Sequence, residues 1–116
     1  IALHALLDIA CNKLRALYER FEPKDYVDVL HIWRSVLPFE KHWEIAKTKY
    51  PELDGYGLAV AFFKVKYVER LPRTREALSV DELKSVFLAK ATELAKSYFA
   101  PPWPGDGDDS SAPPRN

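Results

Sequence analysis

The sequence contains no methionine and no glutamine, one cysteine and only two asparagines among 116 residues. The single thiol, Cys11, cannot form an internal disulfide, so a disulfide scaffold and a cysteine-based zinc site are both excluded. The thermolabile residue types are scarce, whereas 17 basic and 17 acidic side chains are present. This composition is typical of hyperthermophile proteins, and we expect a source of that kind.

Long hydrophobic runs are also absent. The longest one, from Gly57 to Phe63, covers about a third of the roughly 20 residues that a membrane-spanning helix needs, and no signal-peptide pattern precedes it. We therefore expect a soluble protein that does not insert into a membrane. Because 47% of the residues are hydrophobic and 13% are aromatic, the chain has enough apolar surface for one core, and the sequence predicts a single folded domain.

Apolar residues recur at helical spacing through the first half of the chain. Prolines 23, 38 and 51 divide these stripes, because proline lacks an amide hydrogen and is tolerated only in the first turn of a helix. The sequence predicts a first helix over about residues 2–21, a second one up to Pro38, and a third from Phe39 to Tyr50. The apolar stripe of the first helix is Leu3, Leu7, Ala10, Leu14, Leu17 and Phe21.

Two further helices are predicted from their first residues. Asp54 is a suitable N-cap for a fourth helix that continues to Val68, although residues 63–67 also alternate as a strand would. We favour the helix, because an isolated strand would have no partner elsewhere in the chain. Ser79, three residues before Glu82, forms a capping box at the start of the last helix, which ends at Pro101-Pro102.

The chain is therefore predicted to be all-α, a compact bundle of about five helices with a proline-rich C-terminal tail. Residues 1–100 make up the helical bundle domain. Residues 101–116 contain five prolines, two glycines and three aspartates, and they have little to bury, so we expect a flexible or extended tail. Trp103 is the exception, since an indole between prolines favours docking on the bundle or on a neighbouring chain.

No combination of side chains in the sequence indicates catalysis. His4, His31 and His42 lie on three different predicted helices, without the i, i+4 spacing of a helical metal site, and we expect them to be solvated or to cap helices. Cys11 has no adjacent base, and Gly55-Tyr56-Gly57 lacks the lysine of a phosphate-binding loop. We therefore expect no enzyme, no catalytic residue, no cofactor and no metal ion.

Charge is unevenly distributed along the chain. Residues 1–100 carry 16 basic and 14 acidic side chains, whereas the tail carries Arg115 against three aspartates. The most basic stretch runs from Lys64 to Arg75 and is predicted to contact a phosphate backbone; the alternative is a solvated helix end with Tyr67 in the core. A second group surrounds the first helix corner, where acidic residues dilute it. The predicted nucleic-acid contacts are Lys64, Lys66, Arg70, Arg73 and Arg75, together with Arg15, Arg20, Lys24 and Arg34.

Residues 55–101 show a resemblance to a known family. The run Gly55-Tyr56-Gly57-Leu58-Ala59-Val60-Ala61, followed by two helices and the ending Tyr98-Phe99-Ala100-Pro101, resembles the C-terminal half of the major coat proteins of filamentous archaeal viruses. The resemblance implies a small helical protein that pairs and wraps double-stranded DNA inside a rod-like virion. The sequence departs from that pattern in its charge, because an excess of two basic residues over residues 1–100 is small for a protein that coats DNA. A second, paralogous subunit would have to carry a larger excess of basic residues.

These observations predict a structural subunit of a nucleoprotein filament, located in the virion, that assembles with itself or with a paralogous subunit on DNA. Three tryptophans and six tyrosines exceed the needs of one small core, so some are expected at interfaces. The candidates for such contacts are Trp33, Trp43, Tyr56 and Trp103. The alternatives are a helical accessory nucleic-acid-binding domain of a primase or CRISPR complex, located in the cytoplasm of a hyperthermophilic archaeon, and a protein-interaction domain whose proline-rich tail is the ligand.

Overall fold

The computed structural model describes residues 3–72 and 78–97. Within this part of the chain five α-helices and one 3₁₀ turn form a compact globule, and no strand occurs, which confirms the all-α prediction. The elements are α1 (Leu3–Glu19), α2 (Pro23–Ser35), α3 (Phe39–Lys49), α4 (Gly55–Phe63), the 3₁₀ turn (Lys64–Tyr67) and α5 (Val80–Lys96).

The helix borders follow the proline and capping signals of the sequence. α2 begins at Pro23, and α3 begins directly after Pro38. The Asp54 carboxylate accepts a hydrogen bond from the Gly57 amide at 2.9 Å, and the Ser79 hydroxyl accepts one from the Glu82 amide at 3.0 Å. Each bond satisfies an amide that the first turn of a helix leaves without a partner, so both predicted N-caps are confirmed.

Three predicted helices are shorter than expected, and one of them, α2, ends at Ser35 instead of continuing up to Pro38. α1 ends at Glu19, so Phe21 lies in the corner after it, and both Phe21 and Leu3 are exposed rather than part of the core. The predicted fourth helix does not continue to Val68 but ends at Phe63, followed by the 3₁₀ turn. Residues three apart align in a 3₁₀ turn, and this geometry accompanies the burial of both Val65 and Val68.

An aromatic cluster joins four of the five helices. The Phe87 ring of α5 lies 5.0 Å from Tyr26, 4.9 Å from Trp33 and 5.2 Å from Phe62, measured between ring centroids. Phe39 of α3 contacts both Trp33 and Phe62 in edge-on geometry. Such pairs contribute about 0.5–1.5 kcal/mol each beyond the area they bury, so this cluster fixes the relative positions of α2 to α5.

Hydrogen bonds from buried polar groups complete the core. The Tyr26 hydroxyl donates to the Ala61 carbonyl at 2.6 Å, which ties α2 to the middle of α4. The Asp25 side chain is buried, and its two oxygens accept hydrogen bonds from the Arg20 guanidinium at 2.8 and 3.1 Å. Because a buried polar group without a partner is costly, these bonds restrict how the first corner packs against the rest of the bundle.

A candidate interaction surface on the fourth helix

The nine residues of α4, Gly55 to Phe63, include no charged side chain. A helix that is apolar on all sides is normally enclosed by protein on all sides. α4 packs mainly on α5 and also on α1, and its buried residues include Leu58 and Phe62. We therefore ask which side of α4 the fold leaves uncovered.

A glycine lets α1 approach α4 closely. A Cβ atom at Gly57 would lie 2.7 Å from the Tyr18 hydroxyl oxygen and 2.8 Å from the edge of the same ring. The Tyr18 hydroxyl also donates to the Asp54 carboxylate at 3.1 Å, so the ring is held across the first turn of α4. This contact, together with the Tyr26 bond to the Ala61 carbonyl, fixes the orientation of α4 about its own axis.

Another side of α4 is exposed. Four apolar or aromatic residues, spaced four, three and four apart, are between 38% and 63% exposed. We call this set the outer stripe: Tyr56, Val60, Phe63 and Tyr67. At about 150–250 Å² for a whole aromatic side chain, these fractions correspond to roughly 400 Å² of accessible surface. That is as large as the largest apolar patch on a typical monomer, and such patches are often functional.

Basic side chains follow directly at the C-terminal end of the outer stripe. We call Lys64, Lys66 and Arg70 the basic end; all three are exposed, and Glu69 is the acidic residue among them. The Lys66 ammonium lies 5.3 Å from the centroid of the Tyr67 ring, which is within cation–π distance. Lys64 and Arg70 form no ion pair with another residue of the described part, so their charges remain available to a ligand.

The last predicted helical turn is replaced by the 3₁₀ turn, and Arg70 lies beyond that turn, so the basic end is not carried on one continuous α-helix. Tyr67 is exposed, so the alternative in which it belongs to the core is wrong. The described half of the Lys64 to Arg75 stretch therefore joins an aromatic ring to three cations at the surface. Arg73 and Arg75 lie outside the described residues.

Three of the four basic residues around the first corner form ion pairs within the protein. Arg15 pairs with Glu19 at 3.1 Å and with Glu52 at 3.8 Å. Arg20 pairs with the buried Asp25 at 2.8 Å, and Arg34 pairs with Glu82 at 2.8 Å. These guanidinium groups already have carboxylate partners that a phosphate would have to displace, and their assignment as nucleic-acid contacts stays a prediction. Lys24 is exposed and has no ion pair within the described part of the chain.

Two of the predicted interface residues serve the core of the protein itself. Trp43 is only 7% exposed, and it lines a depression on α3. Trp33 is half-buried among Phe39, Phe62 and Phe87. The surplus of aromatics is thus smaller than the composition suggested, and the assignment of both tryptophans to an interface stays a prediction. Tyr56 is exposed as predicted, and Trp103 lies outside the described residues.

Two side chains of types that often carry catalysis, Cys11 and His42, are buried. Cys11 is buried, and that burial raises the pKa of its thiol, which disfavours the reactive thiolate. His42 is also buried, against the expectation of solvated histidines, because its ring bonds to Trp33 and to the Ala10 carbonyl. Among residues 3–72 and 78–97, no group of three or more His, Cys, Asp or Glu side chains is arranged to hold a metal ion.

The outer stripe was not recognised in the sequence, although a signal for it was present. The sequence places a charge immediately before and after α4 and none within it, and apolar residues occur at every helical position. Tyr56, Val60 and Phe63 stand at i, i+4 and i+7, which is the spacing of a second apolar side of the helix.

No helix in the described part is long and apolar enough to cross a membrane. Comparison with protein-family models, with curated proteins and with solved structures gives no match to this chain.

Proposed function

We propose that this protein is a non-catalytic structural subunit that self-assembles, or assembles with a paralogous subunit, into a nucleoprotein filament on DNA. The observation that supports the proposal is the outer stripe of α4, an exposed apolar surface that runs directly into the three cations of the basic end. Apolar contact with a neighbouring subunit and ionic contact with phosphates can then take place side by side on one element.

The two parts of this surface have separate roles in the proposal. Tyr56, Val60 and Phe63 contact a neighbouring subunit as one part of a larger interface, since exposed apolar patches often mark interaction sites. Lys64, Lys66 and Arg70 neutralise phosphates, and each neutralised phosphate contributes about −0.9 to the salt dependence of duplex binding. We therefore expect a slope of about −3 from the basic end of one subunit.

The virion is the proposed location. The support is the resemblance of residues 55–101 to the coat proteins of filamentous archaeal viruses, together with the hyperthermophile composition. The small charge excess of the bundle also fits a coat in which a paralogous subunit supplies additional cations. The Cys11 thiol and the His42 ring, two groups suited to catalysis, are buried, which supports a structural role over an enzymatic one.

The test combines mass measurement by light scattering with electron microscopy of the purified full chain, with and without duplex DNA at low salt. We expect the protein to form higher-mass, elongated particles when DNA is present. The Lys64→Glu/Lys66→Glu variant should lose duplex binding, and Val60→Asp should keep binding but lose the elongated particles, because a buried charge opposes apolar contact.

The matched control is Lys47→Glu/Lys96→Glu, which makes the same change of charge at two other exposed helix ends and should bind DNA as the natural chain does. A chain that stays monomeric with duplex DNA contradicts the filament proposal. Equal loss of binding in both double variants would mean that only the total charge matters, and would remove the basic end from the proposal.

One observation favours a second candidate, the accessory domain that binds single strands. Phe63 and Tyr67 expose aromatic rings beside Lys64 and Lys66, and bases of single strands stack on such rings for about 1–3 kcal/mol per base. In that case the chain remains a monomer, binds single strands more tightly than duplex, and loses that preference in Tyr67→Ser. Competition between labelled single-stranded and duplex DNA distinguishes the two candidates.

A further inference from the structure

We propose that residues 101–109 of the C-terminal tail bind back onto the outer stripe and basic end of the same chain, and thereby cover the nucleic-acid-binding surface of the free protein. The consequence for nucleic acid rests on the proposed function, whereas the docking itself can be tested without any nucleic acid. The inference rests on the chemistry, the area and the reach of the two partners.

The order of chemical groups is the same in the tail and on the surface. The tail begins with Pro101-Pro102-Trp103-Pro104, which is apolar, and continues with Asp106, Asp108 and Asp109. The surface begins with the outer stripe and continues with the three cations of the basic end, against which Glu69 is the acidic residue. When Trp103 lies on the outer stripe, the aspartates reach the basic end, so apolar and ionic contacts are satisfied in one orientation.

The area of the outer stripe fits a short segment better than a second folded copy. Stable complexes of folded proteins bury about 800 Å² on each partner, roughly twice the area of the outer stripe. A single tryptophan buries about 150–250 Å², and the neighbouring prolines add more at low entropic cost because their backbone is already restricted. A tryptophan between prolines therefore covers the stripe without needing a larger interface.

The connection is long enough for docking within one chain. α5 ends at Lys96, and α4 packs directly against α5. Trp103 follows Ser97 by six residues, which span up to about 20 Å when extended. α4 and the 3₁₀ turn together are of similar length, roughly 20 Å, so the tryptophan reaches the stripe from either end. A short tether also raises the effective concentration to about the millimolar range, which favours the chain's own tail over that of another copy.

Docking in this way regulates nucleic-acid binding by competition. The carboxylates of the tail occupy the cations that would otherwise contact phosphates, so a nucleic acid must displace the tail before it binds. The apparent affinity is reduced in proportion to the fraction of molecules with an uncovered surface, about tenfold if nine in ten are covered. A long polyanion displaces the tail more readily than a short one, because it neutralises more cations at once.

The first experiment isolates the emission of Trp103 in the full chain, as the difference between the natural protein and the Trp103→Phe variant. We expect blue-shifted emission that acrylamide quenches weakly, since the indole lies against the outer stripe. In Phe63→Ser/Tyr67→Ser the emission should shift to the red, and quenching should increase several-fold. In the control Leu3→Ser, which changes an exposed apolar residue on α1, both quantities should stay unchanged.

Three outcomes overturn the docking. Solvent-like emission of Trp103 in the natural protein would contradict the docking directly. Equal quenching in Phe63→Ser/Tyr67→Ser and in Leu3→Ser would show that the indole lies elsewhere. Protection that disappears on dilution together with a fall in mass assigns the tail to a neighbouring copy and overturns docking within one chain. Circular dichroism of each variant verifies that the helices are intact. If Phe63→Ser/Tyr67→Ser does not fold, the single variant Tyr67→Ser takes its place.

The second experiment tests the consequence for nucleic acid. Asp106→Asn/Asp108→Asn/Asp109→Asn should bind a short duplex about tenfold more tightly than the natural chain at low salt, if nine in ten natural molecules are covered. The control, Ser110→Ala/Ser111→Ala, should bind as the natural chain does. Unchanged affinity in the asparagine variant overturns the competition. If neither chain binds nucleic acid, the proposed function fails, while the Trp103 measurement still decides the docking.

Discussion

At the scale of single residues, His42 is a fully buried titratable side chain. Its Nδ1 atom accepts a hydrogen bond from the Trp33 indole at 3.0 Å, which places the one proton of the neutral ring on Nε2, where it is donated to the Ala10 carbonyl at 2.7 Å. Burial lowers the pKa of His42 below its usual value of 6.5, although the Ala10 carbonyl partly offsets this. A second proton would occupy the atom that accepts from Trp33.

This geometry predicts that the protein loses stability in mild acid. As the pH falls below about 6.5, this histidine becomes protonated in the unfolded chain while the folded state still holds it neutral. The unfolded chain therefore binds more protons than the folded protein. The free energy of unfolding should fall from that pH downwards, by at most about 1.4 kcal/mol per pH unit, until His42 is protonated in the folded state as well. Urea denaturation between pH 7.5 and 5 measures the slope.

The control compares two substitutions of histidine by an uncharged amide. His42→Gln can still accept from the indole and donate to the carbonyl, but it cannot titrate, so the loss between pH 7 and 5 should be smaller than in the natural protein. His4→Gln removes an exposed ring on α1 and should leave the slope unchanged. If His42→Gln retains the full slope, another group is responsible.

At the scale of an element, the orientation of α4 depends on its close approach to α1. We predict that Gly57→Ala lowers the free energy of unfolding by about 1 kcal/mol, because the new methyl group displaces the Tyr18 ring and disrupts its bond to Asp54, and this outweighs the gain in helix propensity. In a Tyr18→Ala background the same substitution should instead stabilise the protein, by up to about 1 kcal/mol. Chemical denaturation of the four chains gives the coupling.

A third background separates the ring from its hydroxyl. Tyr18→Phe keeps the ring edge that would lie 2.8 Å from the added methyl group, so Gly57→Ala should still destabilise this chain. A stabilising effect of Gly57→Ala in all three backgrounds would show that Tyr18 does not restrict the approach of α4.

The elements also show where the sequence is informative. Pro23, Pro38, Asp54 and Ser79 determine helix borders through local stereochemistry, and all four borders agree with the prediction. The end of α4 was not predictable, because the apolar residues Val65 and Val68 fit the inner side of an α-helix as well as that of a 3₁₀ turn. The burial of His42 and the exposure of the outer stripe depend on contacts between residues far apart in sequence, which periodicity does not reveal. The candidate surface was therefore found only in part, through the basic end.

At the scale of the whole molecule, one phenylalanine connects three helices. Phe87 is fully buried in α5 and touches Tyr26 and Trp33 of α2 and Phe62 of α4. We predict that Phe87→Ala lowers the free energy of unfolding by about 3–5 kcal/mol, since it leaves a cavity among rings that cannot collapse together. The whole free energy of unfolding of a domain of this size is about 5–15 kcal/mol, so thermal denaturation should show a marked fall in the melting temperature.

The control for this prediction is Val36→Ala, which shortens an exposed side chain and should change stability by less than about 0.5 kcal/mol. If Phe87→Ala does not fold, Phe87→Leu keeps most of the volume and should cost about 1–2 kcal/mol. Similar stability of the Phe87 and Val36 variants would show that the aromatic cluster is not the centre of the fold.

The ion pairs that engage the arginines have a consequence that depends on temperature. Arg34–Glu82 joins α2 to α5, and Arg20–Asp25 closes the first corner. Removing charges from water becomes less unfavourable on heating, whereas the hydrophobic contribution levels off. At high temperature these ion pairs should gain relative weight in holding the helices together, and they should therefore help to preserve the fold near its upper temperature limit.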